Sequence, residues 1–208
     1  MTQPLTIQID VRKLCAVSQA ARPKPDVSRP YLSNVLIETG PSGTIYIATN
    51  GHMLLAARDM EATAEAPCAF TIPASAALRI SKLTTKYTPH VCCEVDLAGA
   101  RAAFRGKGEE IVPIEQGGFP EWRKILRAHK KGPAQFDPAL LARFQAASKH
   151  AGVGNNRVVT LRHAGDAGAL VDIGHPDYIG VLMPVKGRSP DGGHISVPDW
   201  VAPGRSPC

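Results

Sequence analysis

Apolar and polar residues alternate from Leu5 to Asp10, which predicts a strand; the period then lengthens, placing Val11, Leu14, Cys15 and Ser18 on one face of a helix running to Ala21. Pro23 and Pro25 stop that helix. Alternating runs at about 31–39, 44–49 and 52–59 follow, with Gly40, Pro41, Ser42 and Gly43 as the turn between the first two. Asn50-Gly51 between the last two predicts a tight hairpin, because both residues tolerate the positive φ such a turn needs. The same order recurs: a strand at 68–73, a helix at 74–83 with Ala77, Leu78 and Leu83 as core candidates, and strands at about 91–97, 101–106 and 109–115. A third copy has 134–137, then a helix at 138–150 with Pro138 in its first turn and Leu140, Leu141, Phe144 and Ala147 as its apolar stripe. Strands at about 157–163, 168–173 and 178–185 close it.

One strand, one helix and three strands make a unit that buries its sheet only against a partner copy. The expectation is therefore an α+β fold built from repeated βαβββ units. Residues 1–116 form one complete two-unit domain, 117–133 a connector, 134–186 half of another domain, and 187–208 a tail rich in Gly, Pro and Ser.

Composition narrows the function. A chain of 208 residues, 44% apolar, can bury a respectable core. With no apolar run long enough to span a bilayer and no signal pattern in Met1–Thr6, no membrane partner and a cytoplasmic location are expected. Cys15, Cys68, Cys92, Cys93 and Cys208 contain no C-x-x-C pair, so reduced and mostly buried thiols are expected, with neither a disulfide framework nor a thiolate zinc site. The net charge of +6 is unevenly spread: residues 11–24, 74–90 and 122–150 hold 14 of the 24 basic residues and one of the 18 acids. On the first helical stretch the cations are Arg12, Lys13, Arg22 and Lys24. On the second, Arg79, Lys82 and Lys86 share a face at i, i+3 and i+7 if the helix runs that far, and the third offers Arg143 and Lys149. Helices that press an apolar face on a sheet and turn such cations outward suit sequence-blind contact with the phosphates of duplex DNA.

Catalysis is not expected. His52, His90, His129, His150, His163, His175 and His194 are scattered, without a zinc-protease, nucleophile-elbow or Walker pattern. His175, Asp177 and Asp172 are explained as well by a turn as by a metal, and Gly152 to Asn156 lacks the strand-to-helix setting of a phosphate loop. No cofactor is implied.

Four segments carry something more specific. Met183-Pro184 ends the last run, and proline cannot donate to a ladder, so an edge strand with apolar neighbours, a natural dock for an extended peptide, is expected there. Ala48-Thr-Asn-Gly-His-Met-Leu54, Arg29-Pro-Tyr-Leu32, Phe119-Pro-Glu-Trp122 and Leu182-Met-Pro-Val185 together resemble segments of the bacterial DNA polymerase III β subunit, the replicative sliding clamp. In that family they line the hydrophobic pocket that receives short peptides of polymerases and of the clamp loader. Carried over by position, the resemblance implies a pocket of Leu32, Thr49, Gly51, His52, Met53 and Leu54 from the first unit. Pro120, Lys124 and Ile125 come from the connector, and Val181, Leu182, Met183, Pro184 and Val185 from the last strand. Tyr31 matches a family tyrosine near DNA. Asn50 stands where the family has Asp, Met53 where it has Arg, and Pro30 where it has Tyr.

The resemblance implies a DNA-clamp fold and a processivity factor of replication or repair that binds double-stranded DNA and partner proteins without being an enzyme. A family subunit has three two-unit domains whereas this chain offers about three units, so a closed ring of the family's size would be a homo-oligomer of four chains. A clamp mimic that never closes, and instead captures clamp-binding motifs in competition with the host clamp, is the alternative.

Overall fold

The computed structural model describes residues 5–85, 87–125, 134–154, 158–164 and 167–185, with the side chains of all but 163, 164 and 167. Lys86, the connector from 126 to 133, the start of the strand expected at 157, the end of the glycine turn (Asn155 and Asn156) and the 187–208 tail lie outside the described residues.

The first unit runs β1 (Leu5–Asp10), α1 (Val11–Ser18), β2 (Asn34–Gly40), β3 (Gly43–Thr49) and β4 (Met53–Asp59). The second runs β5 (Cys68–Pro73), α2 (Ala77–Ser81), β6 (His90–Asp96), β7 (Arg101–Arg105) and β8 (Glu109–Pro113). The third has α3 (Pro138–His150), β9 (Thr160–Ala164), β10 (Ala167–Asp172) and β11 (Tyr178–Leu182). The repeat expected from the apolar pattern is present in the first two units; the third has, in place of a leading strand, a single bridge between Gln135 and Val185.

Pairing is antiparallel throughout and exchanges the leading strands of the first two units. β1 joins the second unit's sheet, with Ile7 opposite Cys93 in the order β1-β6-β7-β8. β5 joins the first unit's sheet, with Leu36 opposite Thr71. The third unit extends that larger sheet through a seam between β4 and β11, giving the order β5-β2-β3-β4-β11-β10-β9; Met53 faces Leu182 at one end of the seam and Ala57 faces Tyr178 at the other.

Both faces of the seven-stranded sheet are covered near this seam. Val35, Ile37, Tyr46, Met53 and Leu55 face the helices, and Leu36, Ile47, Leu54, Ala56 and Val181 face the other way, beneath Phe119 and Trp122. Two-sided burial explains why β4 reads as a nearly continuous apolar run. α1 lies between α2 and α3 and has Leu14, Ala16 and Val17 fully buried. α3 reaches the seam through Phe144, whose ring would meet a Cβ at Gly180 of β11 at 2.5 Å, so only glycine lets the helix sit this close to the strand. No helix among the described residues is long and apolar enough to cross a membrane.

Four local expectations are corrected. The second helix is a 3-10 turn at Ala74–Ala76 followed by five α residues, because nothing caps its start and Leu83 O is taken by Lys107 N at 2.9 Å. It ends at Ser81, short of the length that a shared face for Arg79, Lys82 and Lys86 would need, and Leu78, expected in the core, is 62% exposed. The turn after β3 is centred on Gly51 and His52. Only Gly51 has positive φ (91°), while the Asn50 side-chain oxygen accepts from the N–H groups of His52 and Met53 at 2.9 Å each. β11 is an interior strand that ends at Leu182, so Met183 and Pro184 leave the sheet past its end instead of forming an edge, which satisfies the missing proline donor equally well.

Candidate functional site

At the Met53–Leu182 end of the seam the four segments singled out in the sequence meet. Met183 N–H donates to His52 O at 2.8 Å, and Val185 N–H to Gln135 O at 2.7 Å, which holds the strand's exit against the turn. Thr49 Oγ1 shapes that turn by donating to Met53 O at 2.7 Å and accepting from Gly51 N–H at 3.1 Å. Leu32, buried in the 3-10 segment Pro30–Ser33, lies beneath Gly51. The connector crosses the outer face: Phe119 and Trp122 pack with Leu54 and Val181, and the Tyr31 ring meets Phe119 edge-on at 6.0 Å. Trp122 Nε1 donates to Glu38 at 3.4 Å, and Arg123 both stacks on that indole at 4.2 Å and pairs with the same carboxylate at 2.7 Å.

The expected pocket residues divide by exposure. Leu32, Thr49, Met53, Leu54, Val181 and Leu182 are buried, with Met53 and Leu182 turned toward the helices and Leu54 and Val181 toward the connector. Gly51, His52 and Pro120 are exposed, Pro184 is half-buried, and Ile125, Met183 and Val185 are exposed apolar side chains. Lys124 is exposed and ion-paired with Glu121. Phe119 and Trp122, present in the motif yet left out of the expected lining, pack over Leu54 and Val181; the signal for them was the motif itself. A concavity of about 630 Å³ lies elsewhere, around Leu5, Asp96, Arg105 and Ile111 of the four-stranded sheet.

The cations of the expected DNA face do not gather as one free stripe. Arg12 pairs with Asp10 at 2.9 Å, Arg22 with Asp26 at 2.7 Å and Arg79 with Glu110 at 2.6 Å. Lys13 is largely buried between Asp59 at 3.5 Å and Asp177 at 3.6 Å. Arg143 donates to Ala21 O, and its burial lowers its pKa. Lys24, Lys82 and Lys149 are exposed and have no ion pair among the described residues. Tyr31 stands against Phe119 of the connector.

At the seam's other end the strand termini enclose a polar cavity of about 300 Å³, lined among others by Asp10, Arg12, Lys13, Asp59, His90 and Asp177. Burial alone would raise the Asp10 carboxyl, but hydrogen bonds and charge from Arg12 bring it below its usual value. Asp10 also caps α1, accepting from Arg12 N–H at 2.9 Å. Burial pushes the phenols of Tyr46 and Tyr178 up, with Asp59 and Asp10 adding to the shift. Away from both ends, Cys15 and Cys93 are buried free thiols, and burial lifts Cys15 to about 11.

No family model and no curated protein matches the chain. Solved structures do. The chain is similar to the DNA polymerase sliding clamp of Pseudomonas aeruginosa, at 15% identity and TM-score 0.64, over 89% of this chain and 68% of that one. It is similar to the DNA polymerase III β subunit of Thermotoga maritima at 12% identity and TM-score 0.68, over 89% and 66%. It is also similar to the Helicobacter pylori β clamp bound to a DNA ligase peptide, at 10% identity and TM-score 0.61, over 89% and 66%. The chain spans about two thirds of the length of each. At these identities the likeness establishes the fold: this α+β chain adopts the sliding-clamp fold expected from its motifs.

Proposed function

We propose that the chain is a clamp-like tether of DNA replication or repair, holding a short peptide of a polymerase, clamp loader or repair protein in the apolar groove at the Met53–Leu182 end of the seam. The supporting observation is the convergence there of the Gly51 turn, the Phe119–Trp122 connector and the Met183 exit. Buried Leu54, Val181 and Trp122 form a rigid floor, and exposed Met183, Val185 and Ile125 supply side chains that repack around a ligand. A solved clamp of the same fold holds a DNA ligase peptide, which is the kind of ligand this groove suits. Duplex DNA would be held loosely and without base reading by Lys24, Lys82 and Lys149, with Lys86 as a further candidate.

The test is fluorescence polarisation with a labelled clamp-binding peptide. Met183→Asp is expected to weaken binding by more than about tenfold, the cost of setting a charge against an apolar ligand, while thermal melting stays unchanged. Equal binding by the two proteins would reject the groove.

A second reading has its own support: a mimic that captures clamp-binding motifs without encircling DNA. Arg12, Lys13, Arg22 and Arg79 are already matched by carboxylates, which leaves little free charge for phosphates. Light scattering separates the two, because a ring of the family's size requires a tetramer and a competitor does not.

A further inference from the structure

The polar cavity at the Asp59 end of the seam is not used by the peptide or DNA reading. It gathers residues from β1, β4 and β6, in both sheets, together with Asp177 from the turn before β11. We propose that Asp10, Asp59 and His90 bind one divalent cation of the borderline class, zinc in preference to magnesium, and thereby fasten the ends of these three strands.

Three observations carry the assignment. A carboxylate oxygen of Asp10, another of Asp59 and a ring nitrogen of His90 lie within 4.8 Å of one another. Asp59 is only 4% exposed, and its Oδ2 is fully buried with no hydrogen-bond partner, an arrangement that costs stability unless something positive meets it. Charge points the same way: Asp10, Asp59, Glu61 and Asp177 line the cavity against Arg12 and Lys13, with Arg58 answering Asp177 as well, which leaves one negative charge in excess. Lys13 and the Glu61 N–H approach Asp59 through Oδ1 alone, leaving Oδ2 free.

The donor set selects the metal. Two carboxylates and one imidazole suit zinc-like ions, whereas calcium and magnesium take all-oxygen shells. Bonds of about 2.0–2.2 Å would draw the three donors inward. That movement is inexpensive because the His90 side chain, 41% exposed, can turn inward, while Arg12, 58% exposed, can withdraw from Asp10 toward solvent. Water completes the coordination from the open side.

The test titrates zinc chloride alone into the untagged full chain by calorimetry and follows thermal melting. One tight site, a raised Tm reversed by chelator, and no comparable shift with magnesium chloride are expected. Asp59→Asn and His90→Ala should each weaken the site by at least about tenfold, the scale on which even outer-shell groups act. Without metal, Asp59→Asn should melt lower than the parent, since it leaves the largely buried Lys13 with Asp177 alone, whereas His90→Ala, altered on the exposed side, should melt close to it. If Asp59→Asn does not fold, His90→Ala, altered on the solvent side, decides. Zinc binding that is absent, that persists undiminished in the decisive variant, or that magnesium matches would overturn the proposal.

Discussion

One pair of strands, β4 and β11, ends beside exposed Met183 and Val185 and buried Trp122 at one extremity and in a cavity of carboxylates, imidazole and ammonium at the other. Both extremities use the same ladder, so the backbone does not set the difference. The residues just past the ladder do. Beyond Leu182 the chain supplies Met183 and Pro184, with apolar surface and no proline donor; before Tyr178 it supplies His175 and Asp177, beside Asp59 at the end of β4. The apolar end needs no partner to be stable and is adaptable. The polar end is stable only while each charge is answered, and is therefore the more specific.

The comparison can be broken most severely in the middle, where Phe144 presses on Gly180 and both ends depend on it. Phe144→Ala should cost about 3–5 kcal/mol and, read by urea denaturation and peptide binding together, should weaken the groove as well as the fold. A loss confined to stability would show that β11 keeps its place without α3. Next in size, Lys13→Met removes the ammonium between Asp59 and Asp177 while keeping most of the volume, and should cost about 1–3 kcal/mol without changing peptide affinity. A peptide defect in that variant would mean the two ends are coupled.

Acid should act on the polar end through Asp177. The Asp177 carboxyl feels burial, which alone would raise it, but the Arg58 hydrogen bond and the charge of Lys13 bring it below the ordinary carboxyl value. A carboxyl depressed in the folded state adds stability that is fully present above the unfolded value and disappears as pH falls through the lower folded one. The urea midpoint should therefore decline below about pH 4, and Asp177→Asn should flatten part of that decline. An unchanged profile would remove Asp177 from the account. The smallest effect expected is at the exposed lysines: Lys82→Gln should lower the salt slope of DNA binding by about one unit, and a slope identical to the parent's would place DNA elsewhere.

Local chemistry made the repeat and α3 legible in advance. Pro138 in the first turn and the Leu140, Phe144, Ala147 spacing fix that helix, and the Asp137 side chain caps it by accepting from Ala139 N–H at 2.8 Å. The meeting of the four apolar segments was legible only because their motifs resemble a known arrangement; periodicity alone would have left those residues as ordinary core. Ion pairing was not legible. Arg58 and Lys13 reach Asp177 from more than a hundred residues away, and Arg79 finds Glu110 across the second unit. A count of cations along a helix therefore overstated the charge left free. Asp10, Asp59 and His90 have no meaningful spacing in the chain; the strand exchange is what assembles them, and no local signal announces it.

That exchange also governs how the chain must fold. Leu5 finds its ladder partner at Val95 and Asp10 at His90, so β1 cannot take up its native pairing until the second unit has been made. Closure over so long a loop is slow compared with hairpin formation. The first strand waits, and the apolar residues flanking it are the stretch most in need of protection during synthesis.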